Sequence, residues 1–204
     1  PVLEINATRV RLALAGAAAP IQLLSPDRRD LPRFESFCLR RGDVLRIGAL
    51  TDGAVTYLAI EGGLDLPSVL GSLSTYTRAR FGGYHGRTLA DHDDVPLLMP
   101  ESPERNESRL RDRVLPGTSP IRVIPGPQSD FFTPDAIETF TNNPYTVSPA
   151  VDRMGMRLDG PPLAHARGFN IISDGTAPGA IQVPGDGLPI VLLADRQTTG
   201  GYPK

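Results

Sequence analysis

Lysine is nearly absent from this sequence. Lys204, the final residue, is the only one, and every other fixed positive side chain is an arginine. A phosphate-binding P-loop needs a Gly-Lys pair and a biotin carrier needs an internal lysine to acylate, so the sequence offers neither. A lysine Schiff base or a lysine general base could form only at Lys204. Arginine stays charged at any working pH, so it can clamp carboxylates or phosphates but is a poor proton shuttle.

Cysteine and histidine are also scarce. Cys38 is the only cysteine, so no internal disulfide can form, and its strand-like surroundings favour a buried structural thiol. The three histidines, at positions 85, 92 and 165, lack the spacing of metal ligands, and the sequence contains no GxSxG nucleophile elbow. We therefore expect no metal site and no serine-hydrolase chemistry in this chain.

The charge balance and the apolar pattern exclude further classes of protein. A formal net charge of −2 gives no electrostatic footprint for nucleic acid or for an anionic membrane. No apolar run approaches the ~20 residues that span a bilayer. The start of the chain alternates between apolar and polar residues, unlike a signal peptide. We therefore expect a cytoplasmic protein with no nucleic-acid and no membrane partner.

Turn signals dominate what is present. The 21 glycines and 21 prolines punctuate the chain and disfavour long helices. The short runs between them predict an all-β fold with few short helices, in a barrel-like architecture. The best helix is predicted at 134–141, because Thr133 suits an N-cap and Pro134 suits the first helical position. The predicted strands include 21–24, 34–39, 43–47, 54–60, 95–99 and 121–124, of which 34–39 and 43–47 would form a hairpin around the Arg41-Gly42 turn.

A change in composition predicts two lobes. Residues 100–116 have mixed charge, three prolines and few apolar residues, which is typical of an exposed connection. We therefore expect an N-terminal β lobe at 1–99 and a C-terminal β lobe at 117–204.

The stretch 178–204 predicts a β-hairpin followed by a polar, glycine-rich corner. Two apolar runs, 180–183 and 189–194, flank a PGDG turn whose glycines can take the positive φ of a tight return. Five polar residues, 195–199, then lead into a glycine pair. From the residues alone, a ligand site and an ordinary polar strand end explain this corner equally well.

Candidate site residues come from this corner and from two arginine-containing segments. Asp195 could act as a base, and Gln182 could orient a substrate. Gln197, Thr198 and Thr199 could donate hydrogen bonds to a developing oxyanion. Arginines beside hydroxyls and glycines suit a carboxylate or phosphate, although the same residues also occur in solvated loops and structural ion-pair clusters. The candidate catalytic residues are Asp195, Gln182 and Gln197, and the candidate substrate-binding residues are Ser74, Tyr76, Arg78, Arg153, Arg157, Thr198 and Thr199.

Four separated blocks of the sequence carry a family resemblance. They are YLAIEGGLDLPSVLGSLSTYTRARFGGYHGRTL (57–89), VIPGPQSDFFTPDAI (123–137), DRMGMRLDGPPL (152–163) and PIVLLADRQTTGGYP (189–203). These blocks resemble the allophanate hydrolase subunit 2 family, which includes the Kip antagonist protein, one of the 5-oxoprolinase subunits and half of the carboxyltransferase domain of urea amidolyase. The resemblance implies cyclophilin-like barrels. Because family members are longer, it also implies an internal fragment whose C-terminal lobe is incomplete.

The same resemblance implies a role in a two-subunit enzyme that acts on small amide or ureido substrates. The partner would be companion subunit 1, of the Kip inhibitor type, and we expect this chain to be inactive alone. ATP-dependent cleavage of 5-oxoproline is the favoured expectation, with ATP as co-substrate and no covalently bound cofactor. One alternative is carboxyl transfer from carboxybiotin to urea or a related compound. The other is a non-catalytic regulatory protein, which would bind its partner without any turnover.

Overall fold

The computed structural model describes residues 1–111 and 120–204. The chain divides into two compact units, Pro1–Pro116 and Gly117–Lys204. Within the described residues, the regular structure is one α-helix, one short 3-10 helix and strands that form four sheets. The mostly-β class is therefore confirmed, while closure into a cyclophilin-like barrel stays a prediction. None of the described helices has the length and apolar character needed to cross a membrane.

Two antiparallel sheets form the first unit. Its strands are β1 (Val2–Glu4), β2 (Arg9–Gly16), β3 (Ile21–Ser25), β4 (Arg29–Asp30), β5 (Ser36–Arg40), β6 (Val44–Ile47) and β7 (Thr56–Ile60). One sheet has the order β1-β6-β3-β4, and the other has the order β5-β2-β7. A single hydrophobic cluster contains residues of both sheets, among them the fully buried Leu14, Leu39 and Leu45. The two sheets of this unit therefore share one core.

The predicted hairpin around Arg41 and Gly42 is wrong, because this turn connects two different sheets. Strand β5 pairs with β2, whereas β6 pairs with β1 and β3. The turn itself has the expected chemistry: Gly42 has a φ of +85°, and the Arg40 N–H donates to the Asp43 carboxylate. A turn fixes where the chain reverses, but the apolar faces of the strands decide which partners they take.

Part of the segment that we expected to be an exposed connection packs on the first unit. Ser102 is buried, and its Oγ accepts a hydrogen bond from the N–H of Arg11 in β2. The buried Arg11 guanidinium lies 2.8 Å from Glu61 and 3.0 Å from Glu107. This network ties the start of 100–116 to the sheet, while its residues 112–116 lie outside the described residues. The predicted lobe boundaries at 99 and 117 stay a prediction.

Two short runs that we expected to be strands are not strands. Neither 95–99 nor 121–124 contains a strand in the described chain. Ile121 is 90% exposed and Ile124 is 91% exposed. A β-branched sequence is therefore insufficient here, because a strand also needs a partner with free backbone groups and an apolar face to cover.

The second unit contains a four-stranded sheet, a two-stranded ribbon and the helix. Its strands are β8 (Thr146–Val151), β9 (Gly155–Asp159), β10 (Asp174–Gly175), β11 (Ile181–Gln182), β12 (Ile190–Leu192) and β13 (Thr199–Gly200). The sheet has the order β11-β12-β9-β8, and β10 pairs with β13 to form the ribbon. All of these pairs are antiparallel.

The predicted hairpin of the C-terminal stretch is confirmed. Strands β11 and β12 pair with Gln182 opposite Ile190. Gly187 has a φ of +76°, and its N–H donates to the Pro184 carbonyl at 3.0 Å, which closes the turn. This turn fixes the register, and the register places Gln182 at the end of β11.

Helix α1 spans Pro134–Asn142, one residue longer than predicted, and is preceded by a 3-10 turn at Ser129–Phe131. The Thr133 hydroxyl accepts from the Ala136 N–H at 3.1 Å, as expected of an N-cap. Ala136 packs with Val183 in the core of the second unit. Because Val183 directly follows Gln182, this core anchors the strand that carries the glutamine.

Candidate functional site

Two of the three predicted catalytic side chains are in direct contact. Gln182, in β11, is only 2% exposed. The Gln197 Nε2 donates to the Gln182 Oε1 at 2.8 Å. In this arrangement the oxygen of the Gln182 amide faces Gln197 and its nitrogen faces away.

The nitrogen of the Gln182 amide is left without a partner. Among the described residues, Nε2 is buried and has no hydrogen-bond acceptor. An unsatisfied buried donor costs about 1–3 kcal/mol, so such groups are uncommon in folded proteins. A Cβ at Gly200 would lie 2.2 Å from this Nε2, so only glycine leaves room for the amide. The Gln182 Nε2 donor is therefore left unpaired among the described residues.

The ribbon of β10 and β13 holds the main chain next to this amide. The Thr176 N–H donates to the Thr198 carbonyl at 3.0 Å, and the Thr176 hydroxyl donates to the Gln197 carbonyl. Thr199 pairs with Gly175 in the ribbon. Thr198 and Thr199 are exposed, and their role as donors to an oxyanion stays a prediction.

Asp195 forms an ion pair with Arg153. The arginine Nε lies 2.7 Å from Oδ2, and its Nη2 lies 3.0 Å from Oδ1. In addition, the Asp195 N–H donates to the Arg153 carbonyl at 2.8 Å. The guanidinium therefore occupies both oxygens of the carboxylate. This geometry suits a carboxylate that shapes the corner better than one that accepts a substrate proton.

Arg157, the other candidate arginine of the second unit, contacts the hairpin turn and not Asp195. Arg157 lies opposite Ile190 in the sheet, and its Nη1 is 4.0 Å from Asp186 Oδ2 in the hairpin turn. Arg157 lies within β9, whereas Arg153 lies in the turn that precedes this strand. The two arginines therefore form two separate ion pairs, one just before β9 and the other within it.

Ser74, Tyr76 and Arg78 lie in the first unit, whereas every contact described above is internal to the second. Tyr76 and Phe81 exchange backbone hydrogen bonds and pack edge to face, with ring centroids 5.7 Å apart. Ser74 and Arg78 lie in or beside this exposed turn. The local structure of these candidates is thus a compact turn, and their predicted role in substrate binding stays a prediction.

A groove of about 1650 Å³ in the first unit is a rival location. Its lining is mostly apolar and includes Tyr84, His85 and Asp93. Arg87 holds Asp93 in a two-point ion pair, at 2.6 and 2.7 Å, and this contact lowers the pKa of the Asp93 carboxyl. The charges of Arg87 and Asp93 already satisfy each other. We therefore place the candidate site at Gln182 and the polar residues 195–199, which we call the Gln182 corner, because the Gln182 Nε2 has no partner there among the described residues.

Three polar residues near the corner were missed by the sequence analysis. Lys204 Nζ lies 3.3 Å from Asp174 Oδ2, and the Gln128 Nε2 donates to the same oxygen at 3.2 Å. The Gln128 amide, the Gly175 N–H and the Lys204 ammonium together lower the pKa of Asp174. The signal in the sequence was Lys204 itself, a single lysine directly after a glycine-rich corner. Its partners come from distant positions, so no local pattern reveals them.

Comparison with known proteins gives consistent matches. The family model of the carboxyltransferase domain, subdomain A and B, matches residues 1–204. The chain is 37% identical over 166 residues to one of the 5-oxoprolinase subunits of Escherichia coli, which covers 81% of this chain and 53% of that protein. It is 34% identical over 217 residues to urea amidolyase of Saccharomyces cerevisiae, which covers 94% of this chain and 11% of that protein.

Solved structures agree with these matches. The chain is similar to the urea carboxylase of Kluyveromyces lactis, with a TM-score of 0.80 at 29% identity, over 99% of this chain and 20% of that one. The chain spans about half the length of the matched 5-oxoprolinase protein and a smaller share of urea amidolyase. The relatives are components of enzymes, and the expected resemblance is confirmed. Because the family model matches the whole sequence, the chain belongs to the family of the carboxyltransferase domain, subdomain A and B.

Proposed function

We propose that the chain binds a small amide or ureido substrate at the Gln182 corner, as part of a protein that works like the matched 5-oxoprolinase component. The observation that carries this proposal is the buried Gln182 Nε2, which has no partner among the described residues. The carbonyl oxygen of a lactam or a urea accepts such a donor. The similarity to a component of 5-oxoprolinase supports 5-oxoproline as the substrate.

The residues of the corner have distinct roles in this proposal. Gln182 donates to the substrate carbonyl oxygen and stabilises the negative charge that develops there when the carbonyl is attacked. Gln197 fixes the Gln182 amide through the bond to its oxygen. The ion pair of Asp195 and Arg153 shapes the neighbouring wall. ATP is a co-substrate of the assembled enzyme, a companion subunit of the Kip inhibitor type is the partner, and no covalent cofactor is assigned to this chain.

Carboxyl transfer from carboxybiotin to urea is a second candidate function. The description of the family model and the similarity to urea amidolyase favour it. The same Gln182 donor would then meet the carbonyl oxygen of urea, so the two candidates share their binding chemistry and differ in the co-substrate. Parallel assays with ATP and 5-oxoproline, and with carboxybiotin and urea, separate them.

The test is a Gln182→Met substitution in the full-length protein, purified together with its companion subunits. Methionine keeps the approximate size and removes both N–H donors. We expect kcat/KM to fall roughly 100-fold, as for the loss of one oxyanion donor.

A matched control is available in the first unit. Gln22 is a strand glutamine whose Nε2 donates to Asp30 at 2.9 Å, so Gln22→Met removes an amide that is already satisfied. We expect this variant to keep wild-type turnover. Wild-type kcat/KM in the Gln182→Met enzyme, for both substrates, would refute the proposal. Tight binding of the companion subunit without turnover of either substrate would instead support a regulatory protein.

A further inference from the structure

Two polar side chains meet at one oxygen of the Asp174 carboxylate in the second unit. Lys204 Nζ and Gln128 Nε2 both contact Asp174 Oδ2. The Lys204 side chain is 7% exposed, whereas that of Asp174 is 51% exposed. Gly126 packs on the main chain of Lys204, where a Cβ would lie 2.3 Å from the Lys204 carbonyl oxygen. The cluster is therefore tightly built, with a buried ammonium and an amide beside a carboxylate that reaches solvent.

The oxygen of the Gln128 amide has no partner. Within the described residues, Gln128 Oε1 is buried and accepts no hydrogen bond. Its orientation is fixed, because the Nε2 of the same amide donates to Asp174. A ligand that reaches this oxygen must therefore bring an N–H or O–H group. The atom is the chemical complement of Gln182 Nε2, which needs an acceptor.

The ribbon places these two amides on one side. Asp174 and Gly200 are opposite each other in the β10–β13 pair, so their Cα–Cβ directions point to the same face. The Gln182 amide fills the space that a Gly200 side chain would take, and the Gln128 amide contacts the Asp174 side chain. Directly opposed Cβ positions in an antiparallel pair are about 4.5–5.5 Å apart. The unpartnered donor and the unpartnered acceptor, both buried, therefore lie beside the same short stretch of ribbon.

We propose that Gln128 is the residue that recognises the substrate N–H, so that the site selects a carbonyl with an adjacent N–H over the corresponding ester. This inference rests on the proposed function, since it assigns the substrate carbonyl oxygen to Gln182. A lactam or a cyclic urea satisfies both orphan atoms: its oxygen accepts from Gln182 Nε2, and its N–H donates to Gln128 Oε1. A lactone of the same shape presents a ring oxygen to Gln128 Oε1, and two acceptors face each other there.

The lysine and the carboxylate position this acceptor. Asp174 holds the Gln128 amide through its nitrogen, and Lys204 holds Asp174. Because the carboxylate faces the nitrogen of Gln128, a flip of the amide would bring two oxygens together. The cluster therefore keeps the amide oxygen free for the ligand.

The experiment compares matched ligand pairs on the full-length protein with its companion subunits, by calorimetric titration. The first pair is 5-oxoproline and its lactone counterpart, in which the ring N–H is replaced by oxygen. The second pair is 2-imidazolidinone, a cyclic urea, and ethylene carbonate. The two pairs distinguish a lactam site from a ureido site, while the N–H dependence is common to both.

We expect the wild-type protein to bind the N–H ligand of at least one pair about 10- to 100-fold more tightly, because the oxygen analogue leaves a buried acceptor unpaired. The Gln128→Met variant should lose most of this preference. Asp186→Asn, which changes an exposed carboxylate in the hairpin turn, should retain it. Equal binding within both pairs by the wild-type protein would overturn the inference without reference to any variant.

The outcomes separate this inference from the function on which it rests. If Gln182→Met lowers turnover while the preference for N–H ligands is the same in the wild type and in Gln128→Met, the role of Gln128 is refuted and the proposed function stands. If Gln182→Met leaves turnover intact, the proposed function itself fails. A preference that disappears in Gln128→Met, in a variant with an unchanged thermal midpoint, supports the assignment.

Discussion

The buried amide of Gln182 makes an unusual prediction about stability: its replacement by methionine should leave the protein as stable as before or more stable. The substitution removes the hydrogen bond from Gln197, which is worth about 1 kcal/mol. It also removes the unsatisfied Nε2, whose burial costs about 1–3 kcal/mol. The net effect is between zero and about 2 kcal/mol of added stability, since Gln197 is only half-buried and can turn its amide to solvent.

The assay is denaturant unfolding, followed by circular dichroism, with the same samples used for turnover. A gain of this size moves the midpoint of unfolding upward without a change in m-value, because the surface exposed on unfolding stays the same. In a thermal scan, 1 kcal/mol corresponds to about 2–4 °C for a domain of 150–250 residues. The expected signature is therefore a stable variant with impaired kcat/KM, which is the trade-off of a functional group held at a cost to the fold.

A glutamine with a purely structural role gives the opposite result. If Nε2 were satisfied in the native state, Gln182→Met would destabilise the protein by more than about 1 kcal/mol and would leave turnover unchanged. Gln22→Met provides the comparison, because its amide is satisfied and lies on the surface. We expect the Gln22 variant to change stability by less than about 0.5 kcal/mol. Destabilisation by Gln182→Met with full activity would refute the reasoning from the orphan donor.

Three further predictions concern other parts of the chain. Gly200→Ala should lower both stability and turnover, because the new methyl group would lie 2.2 Å from Gln182 Nε2; activity assays and unfolding curves measure both. Thr133→Ala should destabilise by about 1 kcal/mol through loss of the cap to Ala136, measured by denaturant unfolding with turnover as control. Burial raises the pKa of the Cys38 thiol, so its alkylation at neutral pH should be slower in the native protein than in the urea-unfolded protein. Mass spectrometry measures both alkylation rates, and equal rates would contradict this prediction.

The parts of the fold that the sequence predicts correctly are those with local causes. Helix α1 follows from Thr133 and Pro134, and the C-terminal hairpin follows from its glycine turn and two apolar runs. The partners of β5 and β6 do not follow from the turn between them, because pairing depends on strands that are distant in sequence. The exposed run at 121–124 fails for the same reason: its β propensity finds no strand to pair with in the described chain.

In the candidate site, too, local patterns are predictable from the sequence, whereas contacts between distant residues are not. The sequence predicts the polar corner at 195–199, because a buried strand that ends in polar residues before glycines is a local pattern. The roles of Gln182 and Gln197 stay predictions. The sequence cannot show that Arg153 and Asp195 form an ion pair, since this contact joins the turn before β9 to the segment after β12. Nor can it show that Gln128 comes close to the corner, because the contact depends on the ribbon that pairs Asp174 with Gly200.

The orphan atoms themselves argue for a ligand. Three buried side-chain atoms have no hydrogen-bond partner among the described residues: Arg33 Nε, Gln128 Oε1 and Gln182 Nε2. Arg33 compensates for its loss by a bond from Nη2 to the Gly16 carbonyl and by stacking over the Phe34 ring. The two glutamine amides lie on the same face of one ribbon, and one needs an acceptor while the other needs a donor. A pure donor or a pure acceptor would satisfy only one of them, whereas a single amide or ureido group satisfies both, and this complementarity favours that class of substrate over a carboxylate or a phosphate.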